Sequence, residues 1–211
     1  MFFDRQLKQR KTMMTSKRFP TLPFSALTLA AALAMPGLAM AENYVIDTEG
    51  GHAFVQFRIP HLGYSWLYGR FNEFSGDFSY DKDNPSAARV DVTIKTASID
   101  SNHAERDKHL RDKDFLDVSR YPEATFKSTS FTAKGDGTAV LKGDLTLRGI
   151  TKPVSIDVTE IGEGPDPWGG HRRGFQGSTR FALKDFGIER NLGPASRDVE
   201  MILSIEGIRQ D

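Results

Sequence analysis

From Ala53 to the C-terminus the apolar residues fall two apart, and that period constrains this chain more than any other feature. Ala53, Val55, Phe57 and Ile59 share one face, with Phe54 on the other. Phe74, Phe78 and Tyr80 repeat the pattern, as do Val90, Val92 and Ile94, then Leu141, Leu145 and Leu147. Val154, Ile156 and Val158 follow, then Phe175, Phe181 and Leu183, and Val199, Met201, Leu203 and Ile205 close the series. A period of two belongs to a strand with one buried face, because successive side chains point to opposite sides of a sheet. Turn chemistry bounds the segments: Asp83-Asn84-Pro85, Gly135-Asp136-Gly137, residues 149–153, the Gly-rich 162–170 and Asn191-Leu192-Gly193-Pro194. The reading is eight strands, near 52–59, 69–80, 88–99, 123–132, 137–148, 151–163, 172–184 and 197–209.

Eight antiparallel strands, each with one apolar face, close as a barrel or pack as a sandwich. Strands of about twelve residues are long for a sandwich of this size, so the barrel is favoured. Its interior is just wide enough to be filled by side chains or to hold one slim ligand. One helix, over about 103–118, interrupts the strands. Asn102 is its expected cap, with Glu105 completing a capping box. Leu110, Phe115 and Leu116 give it a narrow apolar stripe, and Pro122 prevents its extension. A polar helix with a thin apolar edge reads as a lid or plug across one barrel end.

The N-terminus is different material. Residues 1–18 hold six Lys/Arg against Asp4 alone, and residues 19–41 carry no charge. An Ala/Leu-rich centre, Pro36-Gly37 and the small-x-small Ala39-Met40-Ala41 complete the pattern of a secretory signal peptide, with cleavage expected after Ala41. An uncleaved anchor is the alternative, disfavoured by Pro20, Pro23 and Pro36. The basic region is long for such a signal, so Met13 or Met14 compete with Met1 as the start. The 211-residue chain balances 28 basic against 28 acidic residues, but residues 42–211 alone carry 22 against 27, a net −5. The expected mature protein is an acidic single domain, exported to the periplasm, with no basic field for nucleic acid. There is no cysteine, which excludes disulfides, thiolate metal sites and a cysteine nucleophile.

No G-x-S-x-G elbow, phosphate loop or dinucleotide fingerprint is present, so catalysis has no support and no cofactor is expected. His103 and Asp107 stand at i, i+4 on the helix, a spacing that can chelate a metal, but His109 falls on another face. Ion pairs of Glu105 with His109 and Asp107 with Arg111 are the plainer reading of that helix. His171-Arg172-Arg173 could meet an anionic head group, although 162–174 reads better as a hairpin connection. The 15 Phe point elsewhere, since Phe lines a dry cavity with no polar atom to satisfy. By strand parity the candidate lining is Phe57, Phe74, Phe78, Phe126, Leu145, Leu147, Phe181 and Met201, with Tyr64, Trp66, Leu110 and Phe115 at the mouth. Lining and filled core obey the same alternation, so both readings stand.

The motifs resemble those of the YceI-like family of periplasmic polyisoprenoid-binding proteins. The resemblance rests on Gly51-His52-Ala53-Phe54-Val55 and His61-Leu62-Gly63-Tyr64-Ser65-Trp66-Leu67-Tyr68-Gly69. It continues through Asn102-His103-Ala104-Glu105-Arg106-Asp107-Lys108-His109-Leu110-Arg111, Tyr121-Pro122, Gly143-Asp144-Leu145-Thr146-Leu147, Asp166-Pro167-Trp168-Gly169-Gly170 and Leu192-Gly193-Pro194-Ala195-Ser196. It implies an extended lipocalin-like eight-stranded antiparallel barrel carrying an isoprenoid quinone or polyprenyl phosphate in a tunnel. It also implies frequent dimers and no agreed catalytic residues. Transient contact with the inner membrane or a quinone-using membrane protein is the expected partnership. A stress-protective or structural module with a filled core is the competing expectation.

Overall fold

The computed structural model describes residues 41–211. The export signal read over residues 1–41 lies outside them, save for Ala41. Eleven strands are present: β1 Glu42–Ile46, β2 Phe54–His61, β3 Ser65–Phe71, β4 Phe74–Tyr80, β5 Arg89–Lys95, β6 Ile99–Asp100, β7 Glu123–Ala133, β8 Thr138–Leu147, β9 Ile150–Pro165, β10 His171–Ala182 and β11 Asp198–Arg209. Three pairs of them are broken rungs. β1 and β2 both lie along β11, with Tyr44 opposite Arg209 and Phe57 opposite Met201, and residues 47–53 make an excursion between them. On their other side, β1 pairs with β4 and β2 with β3, then β4 pairs with β5 and β3 with β6. With each broken pair counted as one rung, eight antiparallel rungs follow one another in sequence order and the first closes on the last. The fold is the closed eight-stranded barrel, the architecture expected over the sandwich.

The boundaries shift in understandable ways. The first rung begins at Glu42, ten residues before the expected start, because only Tyr44 and Ile46 of β1 face inward before the excursion. β9 and β10 run through the Gly-rich segment and leave only residues 166–170 as a turn. Between β8 and β9 the chain reverses on Arg148 and Gly149 alone, both at positive φ (52° and 70°), as a two-residue hairpin requires.

The helix is shorter than expected: α1 spans Ala104–Arg111. Its cap is His103, whose Nδ1 accepts the Arg106 N–H at 3.2 Å. Asn102 sits in the left-handed region (φ 61°), where a residue cannot cap, so no Asn102–Glu105 box forms. Beyond Arg111 the chain leaves the helix at Asp112 (ψ 170°), and Phe115 and Leu116 reach the core from turns. No helix among the described residues is long and apolar enough to cross a membrane.

Inside the barrel the apolar side chains form two clusters. One gathers Tyr44, Phe78, Phe126, Phe131 and Ile156; the other gathers Val55, Phe57, Ile94, Leu116 and Phe186. Phe74, Val92, Leu145 and Leu203 pack against both and form a waist between them. Three inward phenylalanine rings lie flat on the wall because a glycine faces each. A Cβ on Gly69, Gly143 or Gly207 would stand 2.2, 2.4 or 2.4 Å from the rings of Phe57, Phe126 and Phe78. Rings laid against the wall leave the axis of the barrel open.

Candidate functional site

The barrel is hollow. A cavity of about 890 Å³ runs through both clusters, near the upper end of the roughly 300–1,000 Å³ typical of small-molecule sites. Inward side chains such as Val90, Leu145, Val154 and Leu203 are only half-buried although they face the interior, because they face the empty lumen. The filled-core expectation is overturned by this volume.

One end is closed. There Tyr44 is fully buried, and the Arg173 guanidinium lies 4.5 Å from the Tyr80 ring centroid and donates to Glu160 at 2.5 Å. Burial pushes the Tyr44 and Tyr80 phenols above their usual range. Beside this plug Arg172 donates to Asp47, Glu206 and Asp166 at 2.5, 2.5 and 2.9 Å. The Arg172–Arg173 pair is therefore committed to the wall and lines none of the cavity, which corrects the expectation of a head-group site there. Asp47, His52 and Glu206 are grouped closely enough to hold a metal ion, but Arg172 Nη1 already occupies the space between the two carboxylates.

The other end is open and polar. Among the described residues, and apart from Gln176 on the β10 wall, every solvent-exposed lining residue is found here: His61, Leu62, His109, Arg190 and Asn191. Arg106 joins them, held by Ser101 through its Nε at 2.7 Å. Asp114 lies 3.3 Å from Arg190 Nη1 and 3.7 Å from His109 Nε2. An apolar tube with a hydrogen-bonding collar at its solvent-facing end suits an amphiphile, tail inward and head at the rim.

Of the residues expected to line the interior, Phe57, Phe78, Phe126, Leu145, Leu147, Phe181 and Met201 do so. Phe74 does not: its ring is absorbed into the waist packing beside the strand break at residues 72–73. Of the expected mouth residues, Leu110 and Phe115 line the cavity. Tyr64 and Trp66 do not, because Leu67 and Phe71 set the inward parity of β3, leaving Trp66 on the outer face beneath Arg58 at 4.4 Å. Tyr64 is 88% exposed in the β2–β3 turn. His103, Asp107 and His109 form no common ligand set: His103 caps the helix, and Asp107 accepts from Ser101 N at 2.8 Å and from its hydroxyl. The predicted helix ion pairs are also absent, since Arg111 donates to Ala97 O and Ile99 O at 2.7 and 2.6 Å. The collar residues Arg190 and Asn191 are not legible in the sequence, because polar side chains in an irregular loop carry no periodic signal.

A model of the YceI-like domain matches residues 44–207, nearly the whole described barrel. The chain belongs to the YceI-like family. It is 62% identical over 186 residues to a UPF0312 protein of Pseudomonas aeruginosa (strain LESB58), covering 88% of this chain and 97% of that one. It is 58% identical over 186 residues to a UPF0312 protein of Azotobacter vinelandii, with the same coverage. Among solved structures, Campylobacter jejuni YCEI superposes with a TM-score of 0.65 at 27% identity, over 72% of this chain and 91% of that one. Burkholderia cenocepacia BcnA gives 0.67 at 21% identity, over 76% and 98%. A polyisoprenoid binding domain from Saccharophagus degradans gives 0.57 at 16%, over 79% and 98%, and shares the YceI-like fold.

Proposed function

We propose that this protein is a periplasmic carrier that holds one long isoprenoid lipid, a quinone or a polyprenyl phosphate, and that it catalyses no reaction. The observation that carries this reading is the apolar cavity of about 890 Å³, closed at one end and ringed by Arg106, His109 and Arg190 at the other. A fold neighbour described as a polyisoprenoid binding domain supports it, as does the export signature of residues 1–41. Burying a chain from water gains on the order of 0.8 kcal/mol per carbon group, roughly 3–4 kcal/mol per five-carbon unit before ordering costs. From a bilayer the gain is near zero, since the chain is already in hydrocarbon. Such a protein loads and unloads against a membrane without an energy source.

Organic extraction of the purified protein followed by mass spectrometry tests the reading; a stoichiometric isoprenoid is expected, and no lipid in the extract would sink it. Val92→Trp sharpens the test, because Val92 lines the cavity at the waist. In a filled core that enlargement costs about 1–3 kcal/mol. In a hollow one the indole occupies the lumen, so the variant keeps its melting temperature and loses its lipid.

A further inference from the structure

The open end of the barrel differs from the closed end in two ways that the cavity itself does not require. The first is charge. The segments at the open end, residues 61–65, 102–120, 148–152 and 183–197, carry ten Lys/Arg against seven Asp/Glu. Those at the closed end, residues 47–53, 81–88, 134–137 and 166–170, carry two against six. A domain of net −5 is thus polarised along its axis, with its positive pole at the cavity mouth. The second is the β2–β3 turn. Leu62 and Gly63 both adopt positive φ (53° and 83°), and Tyr64 N–H donates to His61 O at 3.0 Å. Asn or Gly is usual at the first of these positions, so leucine is there for its side chain and not for its backbone. Leu62 is 59% exposed and at the same time lines the cavity, and Tyr64, Trp66 and Tyr68 follow it on the outer surface at 88%, 44% and 54%.

We propose that this end docks on an anionic bilayer surface, with Leu62 and Tyr64 entering the interface and the cationic pole facing the lipid head groups. The proposal rests on the reading of the cavity as a lipid site and adds where and in which orientation the lipid is exchanged. Tyr and Trp are the side chains that settle at a membrane–water boundary, with an apolar body and a polar tip. Attraction between a cationic pole and an anionic leaflet orients the molecule before contact, and the acidic opposite end is repelled. Leu62 then makes the lumen continuous with the bilayer, so a chain passes between them without crossing water. The closed end also exposes an aromatic, Trp168 at 74%, but it lies against Arg172 at 5.1 Å among acidic loops. Charge decides between the two ends.

Flotation of the purified protein with vesicles of phosphatidylglycerol and phosphatidylethanolamine, against vesicles of phosphatidylcholine alone, tests this. Binding to the anionic vesicles is expected, falling at least tenfold in 0.5 M salt and at least tenfold in the Leu62→Asp/Tyr64→Asp variant. Trp168→Asp is expected to float as the unaltered protein does. Equal or absent binding to both vesicles, a double variant that still binds, or loss of binding on Trp168→Asp overturns the proposal. Extraction of the same preparations keeps the two readings apart: protein that holds isoprenoid but ignores vesicles leaves the cavity site intact and removes only the docking surface. Both substituted residues lie in an exposed turn, and an unchanged circular dichroism spectrum verifies the fold.

Discussion

Asp47 has a side chain almost wholly buried, yet it is ionised. Arg172 and His52 donate to its carboxylate and the Gly50 N–H adds a third bond, which holds its pKa at about 2. An unfolded aspartate titrates near ~3.9. A depressed carboxylate stabilises the fold above the unfolded value and loses that contribution as pH falls through the folded one, so the window runs from about pH 4 down to pH 2. Asp47→Asn is expected to cost about 1.5–3 kcal/mol at neutral pH, the range for a hydrogen bond to a charged group. The gap in melting temperature between the variant and the unaltered protein should close across that window. A gap that stays constant down to pH 2 would show that the bond contributes no pH-dependent stability. The lock has a structural purpose, because Arg172 ties the 47–53 excursion, the β9–β10 turn and β11 to one guanidinium.

At the scale of elements, α1 is too short to persist by itself, since isolated helices below about 12–15 residues are marginal in water. It is held by polar ties: Asp107 to Ser101, and Arg111 to the carbonyls of Ala97 and Ile99. Arg111→Ala should therefore raise amide exchange across residues 104–116 at least tenfold while β7 to β10 stay protected, as hydrogen-exchange mass spectrometry can show. Uniform protection would mean that the apolar contacts of Leu110 and Phe115 suffice. The same ties explain what the sequence could and could not reveal. Strand parity is dictated by burial, so the positions of Phe57, Phe126 and Met201 were readable two residues at a time. Helix length was not, because Phe115 and Leu116 look like a continuing stripe and only the turn at Asp112 reveals otherwise. Trp66 misleads for a related reason: its size and its place between two strands point to the mouth, while Leu67 beside it takes the inward position. The collar was hidden because Arg106 and Arg190, 84 positions apart, meet the lumen only after the barrel closes.

At the scale of the whole molecule, a hollow barrel is less stable than a filled one of equal size. Side chains that face an empty lumen forgo the dispersion contacts of a packed interior, and cavities in general lower stability. Closure of the hydrogen-bonded wall and the two packed clusters must then carry the fold alone, and a bound chain supplies the missing contacts. Any ligand that binds only the native state stabilises it by mass action, about 2.7 kcal/mol at one hundred times its dissociation constant. For a domain of this size each kcal/mol moves the melting temperature by roughly 2–4 °C, so saturation with isoprenoid lipid should raise it by about 5–11 °C over delipidated protein. Val92→Trp blocks the lumen at its waist, and its melting temperature should be indifferent to added lipid. Scanning calorimetry of the four preparations, each protein with and without lipid, decides the matter. An equal shift in both proteins would place the lipid on the surface, and no shift in either would leave the lumen without an occupant.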